Sequence, residues 1–384
     1  MIPKRNLKRF LGKAIKQPGY ALKVLKKRVE ASLNYKLGVP AKVFPESITL
    51  FLTHQCNLRC RMCGQWGDKG VTRKFSVETA KEHLQPEELR RFIDEIADFR
   101  PSITLFGGEP LIYPDCTELI RYIKQKKLHC LMITNGSLLE ARAEEIVKSG
   151  LDELNVSLDG ALSLHDEIRG MPGLFDKIMR GLKQVEHYKE KEKKNKPLVN
   201  LQCTISKYNY LHLEELLGVA EEAKVDSLTF HNLIFLGNEL IQKQKVFDEL
   251  LSSKSCEWEG FVFNPEIDSD ILFEKIEKIR AGRYRFNLDF YPNFSRSALK
   301  EYYNNPNYLP SEYSAHCLSP WIVAYVFPDG EVRPCLNFSY SFGNIHKRSF
   351  REIWFSDEAI KFRRTLKQNG LFPVCVRCTE LYRY

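Results

Sequence analysis

From Ser47 onward, short apolar runs alternate with stretches in which apolar residues recur every three or four positions. The runs fall at 47–53, 102–106, 128–133, 152–158, 198–205 and 226–232, and their length and composition mark them as strands. Helical periodicity occupies the intervals 86–98, 115–126, 138–149, 174–189 and 212–224. Pro86 and Pro114 stand where a helix entry tolerates proline, and Gly150 stands where a helix exit favours glycine. This succession predicts a parallel sheet, either doubly wound or rolled into a partial barrel. Both architectures present ligands to the C-terminal strand ends, so the residues just after each run are the ones to inspect.

The flanks read differently. Leu7, Phe10, Leu11, Ala14 and Ile15 form one helical run, Pro18–Gly19 breaks it, and Leu22, Leu25 and Val29 form a second. Residues 189–197 (KEKEKKNKP) read as a charged, solvated loop. The predicted organisation is a basic helical leader over 1–45, a core over 46–235, a connector with short helices over 236–312, and a cysteine-bearing tail over 313–384. Substrate specificity is expected in the connector.

Composition adds limits. A hydrophobic content of 43% and a charged content of 28% over 384 residues exclude wholesale disorder. No apolar run reaches 18 residues and no secretory signal is evident, so a cytoplasmic location is expected. The net charge of +9 is unevenly placed. Residues 1–29 hold ten Lys and Arg and no acid, which leaves 9 − 10 = −1 for the rest. A basic leader on a near-neutral body argues against nucleic acid. It suits either a peripheral membrane contact or a solvated helix packed on the core.

Seven of the eleven cysteines are clustered. Cys116, Cys130 and Cys203 stand alone in apolar or helix-entry settings and read as core residues. After the first strand comes Cys56-Asn57-Leu58-Arg59-Cys60-Arg61-Met62-Cys63, where three thiols from one loop can occupy three corners of a [4Fe–4S] cube and leave one iron open. A zinc site would need a fourth ligand, for which His54 is the candidate.

This loop resembles the C-x3-C-x2-C signature of radical S-adenosylmethionine (SAM) enzymes. The resemblance implies a partial (β/α)6 barrel whose open iron binds SAM and whose cluster cleaves it to a 5′-deoxyadenosyl radical. Met62 takes the position of an aromatic residue that usually lies near the adenine. After the second strand, Gly107-Gly108-Glu109-Pro110 is similar to the family's GGEP motif, and Thr134-Asn135-Gly136 follows the third. After the fourth stand Ser157 and Asp159, expected on the ribose hydroxyls, and then Arg169, expected on the SAM carboxylate. The bland alternative for Arg169 is a surface pair with Asp166 or Glu167.

In the tail, Cys317, Cys335, Cys375 and Cys378 can close around zinc or hold all four corners of a second [4Fe–4S] cluster. Their arrangement resembles the SPASM/Twitch extension of radical SAM enzymes: a G-x4-C hairpin near 321–336, a Gly343-Asn344-Ile345 turn and an Ile353-Trp354 helix. Only six residues follow Cys378, so one auxiliary cluster is expected in a small α+β Fe–S domain. The implied activity is hydrogen abstraction from a small-molecule, lipid-linked or peptide substrate, with net oxidation through the auxiliary cluster and a flavodoxin or ferredoxin as reductant. The alternatives are a redox-neutral epimerase that takes its returning hydrogen from a thiol such as Cys256, a bond-forming maturase, or a non-catalytic iron–sulfur or zinc scaffold.

Overall fold

A computed structural model describes residue 15, residues 18–37 and residues 43–383. Seven parallel strands form its centre: β1 (Ser47–Phe51), β2 (Ser102–Phe106), β3 (His129–Thr134), β4 (Glu153–Ser157), β5 (Leu198–Thr204), β6 (Ser227–His231) and β7 (Asn287–Tyr291). Each pairs with the next, in register from Ser47↔Ser102 to His231↔Tyr291. Strand order therefore follows chain order, with helices Pro86–Ile96, Cys116–Gln125, Leu139–Ser149, Leu174–Lys191 and Glu215–Glu222 in the crossovers. All six predicted strands and five predicted helices are present. Leu154, Val156, Leu201, Cys203, Leu228 and Phe230 are fully buried under these helices. The alternate residues face the concave side, where Asn155, Ser157, Gln202, Thr204 and His231 are half-buried and Thr229 is buried, the period-2 signature of strands with two unlike faces.

Two regions depart from the sequence reading. The connector holds three full helices (Asn238–Leu251, Ser269–Arg280 and Arg296–Asn304) and the seventh strand. Its polar loops hide this strand from an alternation count. The tail does not form a separate sheet either. Its hairpin, β8 (Val323–Val326) and β9 (Glu331–Arg333), with β10 (Gly343–Asn344), continues the barrel sheet because β8 pairs in parallel with β1. The loop expected over 189–197 begins only after the helix ends at Lys191.

The second leader run is the helix Pro18–Leu37, which lies across the N-terminal strand ends. Lys27 Nζ reaches Pro45 O at 2.7 Å and Phe99 O at 3.2 Å, and Arg28 pairs with Glu46 at 3.0 Å. Ala21, Val24 and Ala31 are its buried residues, whereas Leu22, Leu25 and Val29 are exposed, the reverse of packing that stripe on the core. The first run, 7–14, lies outside the described residues. Among the described residues, no helix is long and apolar enough to cross a membrane.

Candidate functional site

The cysteine loop leaves β1 and closes on itself through short backbone bonds: Cys63 N donates to Cys60 O at 3.1 Å and Gly67 N to Cys63 O at 2.9 Å. A Cβ on Gly67 would stand 2.5 Å from Cys63 O, so the closure requires glycine there. Four N–H groups are aimed at the three sulfurs. Leu58 N (3.5 Å) and Asn135 Nδ2 (3.7 Å) face Cys56, Arg169 Nη1 (3.7 Å) faces Cys60, and Trp66 N (3.3 Å) faces Cys63. Thiol sulfur is a weak acceptor, so donors on every sulfur suit thiolates bound to iron. Without iron, burial pushes the Cys56 thiol up to about 11, and the neighbouring Cys60, Glu109 and Cys63 charges add to that. Burial also raises Cys60, against the opposing pull of Arg169.

The motif after β2 packs directly on this loop. Gly108 N donates to Thr53 O and Glu109 N to Gln55 O, both at 2.8 Å. Gly107 has φ +150°, and a Cβ on Gly108 would come within 2.0 Å of Gln55 O. The Glu109 side chain is fully buried. It accepts from Thr134 Oγ1 (2.7 Å), Asn135 N (2.7 Å) and Leu111 N (3.0 Å). The structure thus gives Glu109 a tying role, joining the β2 and β3 ends. Asn135 continues the tie, with Nδ2 also donating to Asn57 Oδ1 at 3.0 Å.

Ser157 and Asp159 do not share one environment. Ser157 is half-buried on the concave face, while Asp159 is completely buried, pairs with Arg169 Nη2 at 2.6 Å and accepts from Thr204 N at 2.8 Å. Chain departure after β4 breaks the two-residue alternation on which the ribose assignment of Asp159 rested. Arg169 is likewise no surface residue. It bridges the Asp159 carboxylate and the Cys60 sulfur, while Asp166 instead accepts from Gly173 N and Phe175 N. Met62 is half-buried against the core beside the loop.

His165, four residues before Arg169, supports this pair, a role that its place in the sequence does not reveal. It is fully buried, and its Nδ1 accepts from Asp159 N at 3.1 Å. Burial, then the Arg169 charge, lowers its pKa from 6.5 to about 2. The unfolded chain therefore binds the extra proton: this stability is whole above about 6.5 and drains as pH falls toward about 2. Melting temperature should fall more steeply below pH 6.5 in the wild type than in His165→Gln, whose amide oxygen can still accept from Asp159 N. Parallel pH profiles would refute this.

In the tail, Cys378 raises the thiols of Cys317, Cys335 and Cys375 after burial itself, so the four thiols stand within one another's electrostatic reach. Cys378 itself is pushed up to about 12 by burial, then by Glu380. Between the last two cysteines, Arg377 is buried, donates to Tyr302 O (2.8 Å) and Asn305 O (2.7 Å), and lies 4.2 Å from the Phe235 ring. It fastens the tail loop to the connector helix Arg296–Asn304. Among the described residues, no three His, Cys, Asp or Glu side chains are placed to share one metal ion. His54 instead packs between Phe51 and Phe75, at 5.0 and 5.1 Å. Cys116, Cys130 and Cys203 are fully buried, whereas Cys256 is exposed at the start of the turn Cys256–Phe261.

Comparison with known proteins agrees with this geometry. Residues 50–191 match the Radical SAM superfamily, and residues 317–379 match SPASM, an iron–sulfur cluster-binding domain. The Fe-coproporphyrin III synthase of Methanosarcina barkeri is 28% identical over 383 residues, covering 92% of this chain and 88% of that protein. A cofactor-modifying protein for tungsten-containing aldehyde ferredoxin oxidoreductase, from Pyrococcus furiosus, is 24% identical, covering 86% of each. The crystal structure of Streptococcus suis SuiB superposes with a TM-score of 0.61 at 16% identity, over 92% of this chain and 76% of SuiB. With both matches in that order, the chain belongs to the radical SAM superfamily, as a SPASM-domain enzyme whose cofactors are SAM, a SAM-binding [4Fe–4S] cluster and an auxiliary cluster.

Proposed function

We propose that this enzyme oxidises a neutral, hydrogen-bonding substrate held on the concave face of the sheet. In this reading Cys56, Cys60 and Cys63 hold the SAM-binding cluster, and Cys317, Cys335, Cys375 and Cys378 hold the auxiliary one. When bound, the first supplies the electron that splits SAM into methionine and a 5′-deoxyadenosyl radical, and the second takes up the electron left on the substrate after hydrogen abstraction. A flavodoxin or ferredoxin is the proposed source of the first electron.

The chain's own part is to position. Gly107 and Gly108 let backbone approach the ligand, while Glu109, Thr134 and Asn135 fix that rim. Arg169, held by Asp159, keeps a cation beside the Cys60 sulfur, where it can also meet the SAM carboxylate. Met62 and Ser157 stand beside this rim for the adenosine.

The observation that carries the reading is that both thiol sets flank one concave surface. The three-cysteine loop follows β1. At the far edge, Tyr291 at the end of β7 donates to Thr379 O, next to Cys378, at 2.7 Å. Between them, β4–β7 present Asn155, Ser157, Gln202, Thr204, Thr229, His231 and Asp289 to the concave side, and no Lys or Arg occupies these alternate positions. Hydroxyl, amide and imidazole groups together with the Asp289 carboxylate suit neutral partners that donate hydrogen bonds.

Turnover in deuterated water tests the outcome. An oxidised product free of solvent deuterium and dependent on Cys375 and Cys378 is expected. A product of unchanged oxidation state carrying one deuterium would establish the epimerase alternative, for which exposed Cys256 offers no shielded hydrogen donor.

A further inference from the structure

The helix Pro18–Leu37 is apolar on two opposite sides. Ala21, Val24 and Ala31 face the body and are buried. On the other side Leu22, Leu25, Val29 and Leu33 recur at intervals of three, four and four, which aligns them in one stripe, and they are 70%, 36%, 47% and 52% exposed. Scattered single aliphatics on a surface are ordinary, but a continuous row of four along one helix face is not. Exposed Lys26 and Lys36 border this row.

The helix cannot simply roll to bury the stripe. Arg28 pairs with Glu46 at 3.0 Å, and Lys27 Nζ donates to Pro45 O and Phe99 O. Tyr35 stacks on His316 at 4.7 Å and meets Trp321 edge-on at 5.2 Å. These contacts fix the stripe outward along the helix.

We propose that this stripe is a docking surface for an anionic lipid bilayer, with the helix lying in the plane of the interface. Charge selects the occupant. Exposed Lys26 and Lys36 border the row, so a second copy of the same face would set like charges together, whereas anionic headgroups would neutralise them. A row of four aliphatics is also small against the roughly 800 Å² per partner of a stable protein interface.

The placement orients the enzyme. The helix crosses the starts of β1–β3, with Val24 and Lys27 lining a cleft beside Ser102 and His129, while the cysteine loop follows the end of β1. The docked enzyme would hold its concave mouth away from the bilayer and take substrate from the aqueous side.

The test is sedimentation of the full-length reconstituted protein with vesicles of phosphatidylcholine, alone or with about 30% phosphatidylglycerol. Only the anionic vesicles should carry the protein down, and ~0.5 M salt should release it. Leu22→Gln with Leu33→Gln keeps the charge and the helix propensity, and should lower the bound fraction at least about tenfold. The same variant should form 5′-deoxyadenosine with dithionite as the wild type does. Equal sedimentation of the variant, or none of the wild type on anionic vesicles, would overturn the proposal. So would light scattering that shows a wild-type dimer and a variant monomer, since the stripe would then belong to a second copy.

Discussion

Replacing Cys56, Cys60 and Cys63 together by Ala should halve the iron and sulfide of anaerobically reconstituted protein, from about eight of each to about four, and abolish SAM cleavage. The loss should be confined to one cluster, because the two thiol sets sit on separate segments. The first set lies on the loop after β1, and the second is fastened by Arg377 to the connector helix. Fold should survive, since Cys56 and Cys63 are only half-buried and the strand ends remain tied through Glu109. Iron analysis together with circular dichroism checks this. Iron falling to zero would show that the tail site depends on the first, and unchanged iron would show that these three thiols hold none.

The second large effect concerns the tail. Cys375→Ala with Cys378→Ala should leave SAM cleavage intact but uncoupled, so that 5′-deoxyadenosine still forms while oxidised substrate disappears. The barrel supplies the first cluster's three thiols without help from the tail, whereas the proposed route for the substrate's second electron runs past Thr379 and Cys378. The surroundings of these cysteines are tightly packed: Val374, Val376 and Tyr382 are all buried. Retention of about four irons and a native melting profile must therefore be shown first. Undiminished oxidised product in a folded variant that lacks the tail cluster would remove that cluster from the chemistry.

Much of this was legible in the sequence because the signals were local. A parallel strand buried on one face is a short apolar run, and its ligand-bearing residues follow it at once. Hence Cys56, Cys60, Cys63, Gly107, Gly108, Thr134 and Asn135 could be picked out by position after a strand. What stayed hidden depended on distant partners. β7 reads as the polar run NLDFY, because its concave-side Asn287 and Asp289 are exposed or half-buried beside a polar β6. The tail hairpin's pairing with β1 joins residues 47 and 323, which no local pattern can foretell. Asp159 and Arg169 were found, but their mutual pairing and the support of His165 arise only when the chain turns after β4. The leader shows the same limit, since spacing revealed a stripe at Leu22, Leu25 and Val29 without revealing on which side the body lay.

The central claim is that the rim built by the cysteine loop and the strand ends cleaves SAM. Anaerobic incubation of the fully iron-loaded protein with SAM and dithionite, scored for 5′-deoxyadenosine and methionine, tests it most directly. The two products should appear in equal amounts with wild-type protein and be absent with Cys60→Ala. Intact SAM after incubation with wild-type protein holding its full iron would contradict the account.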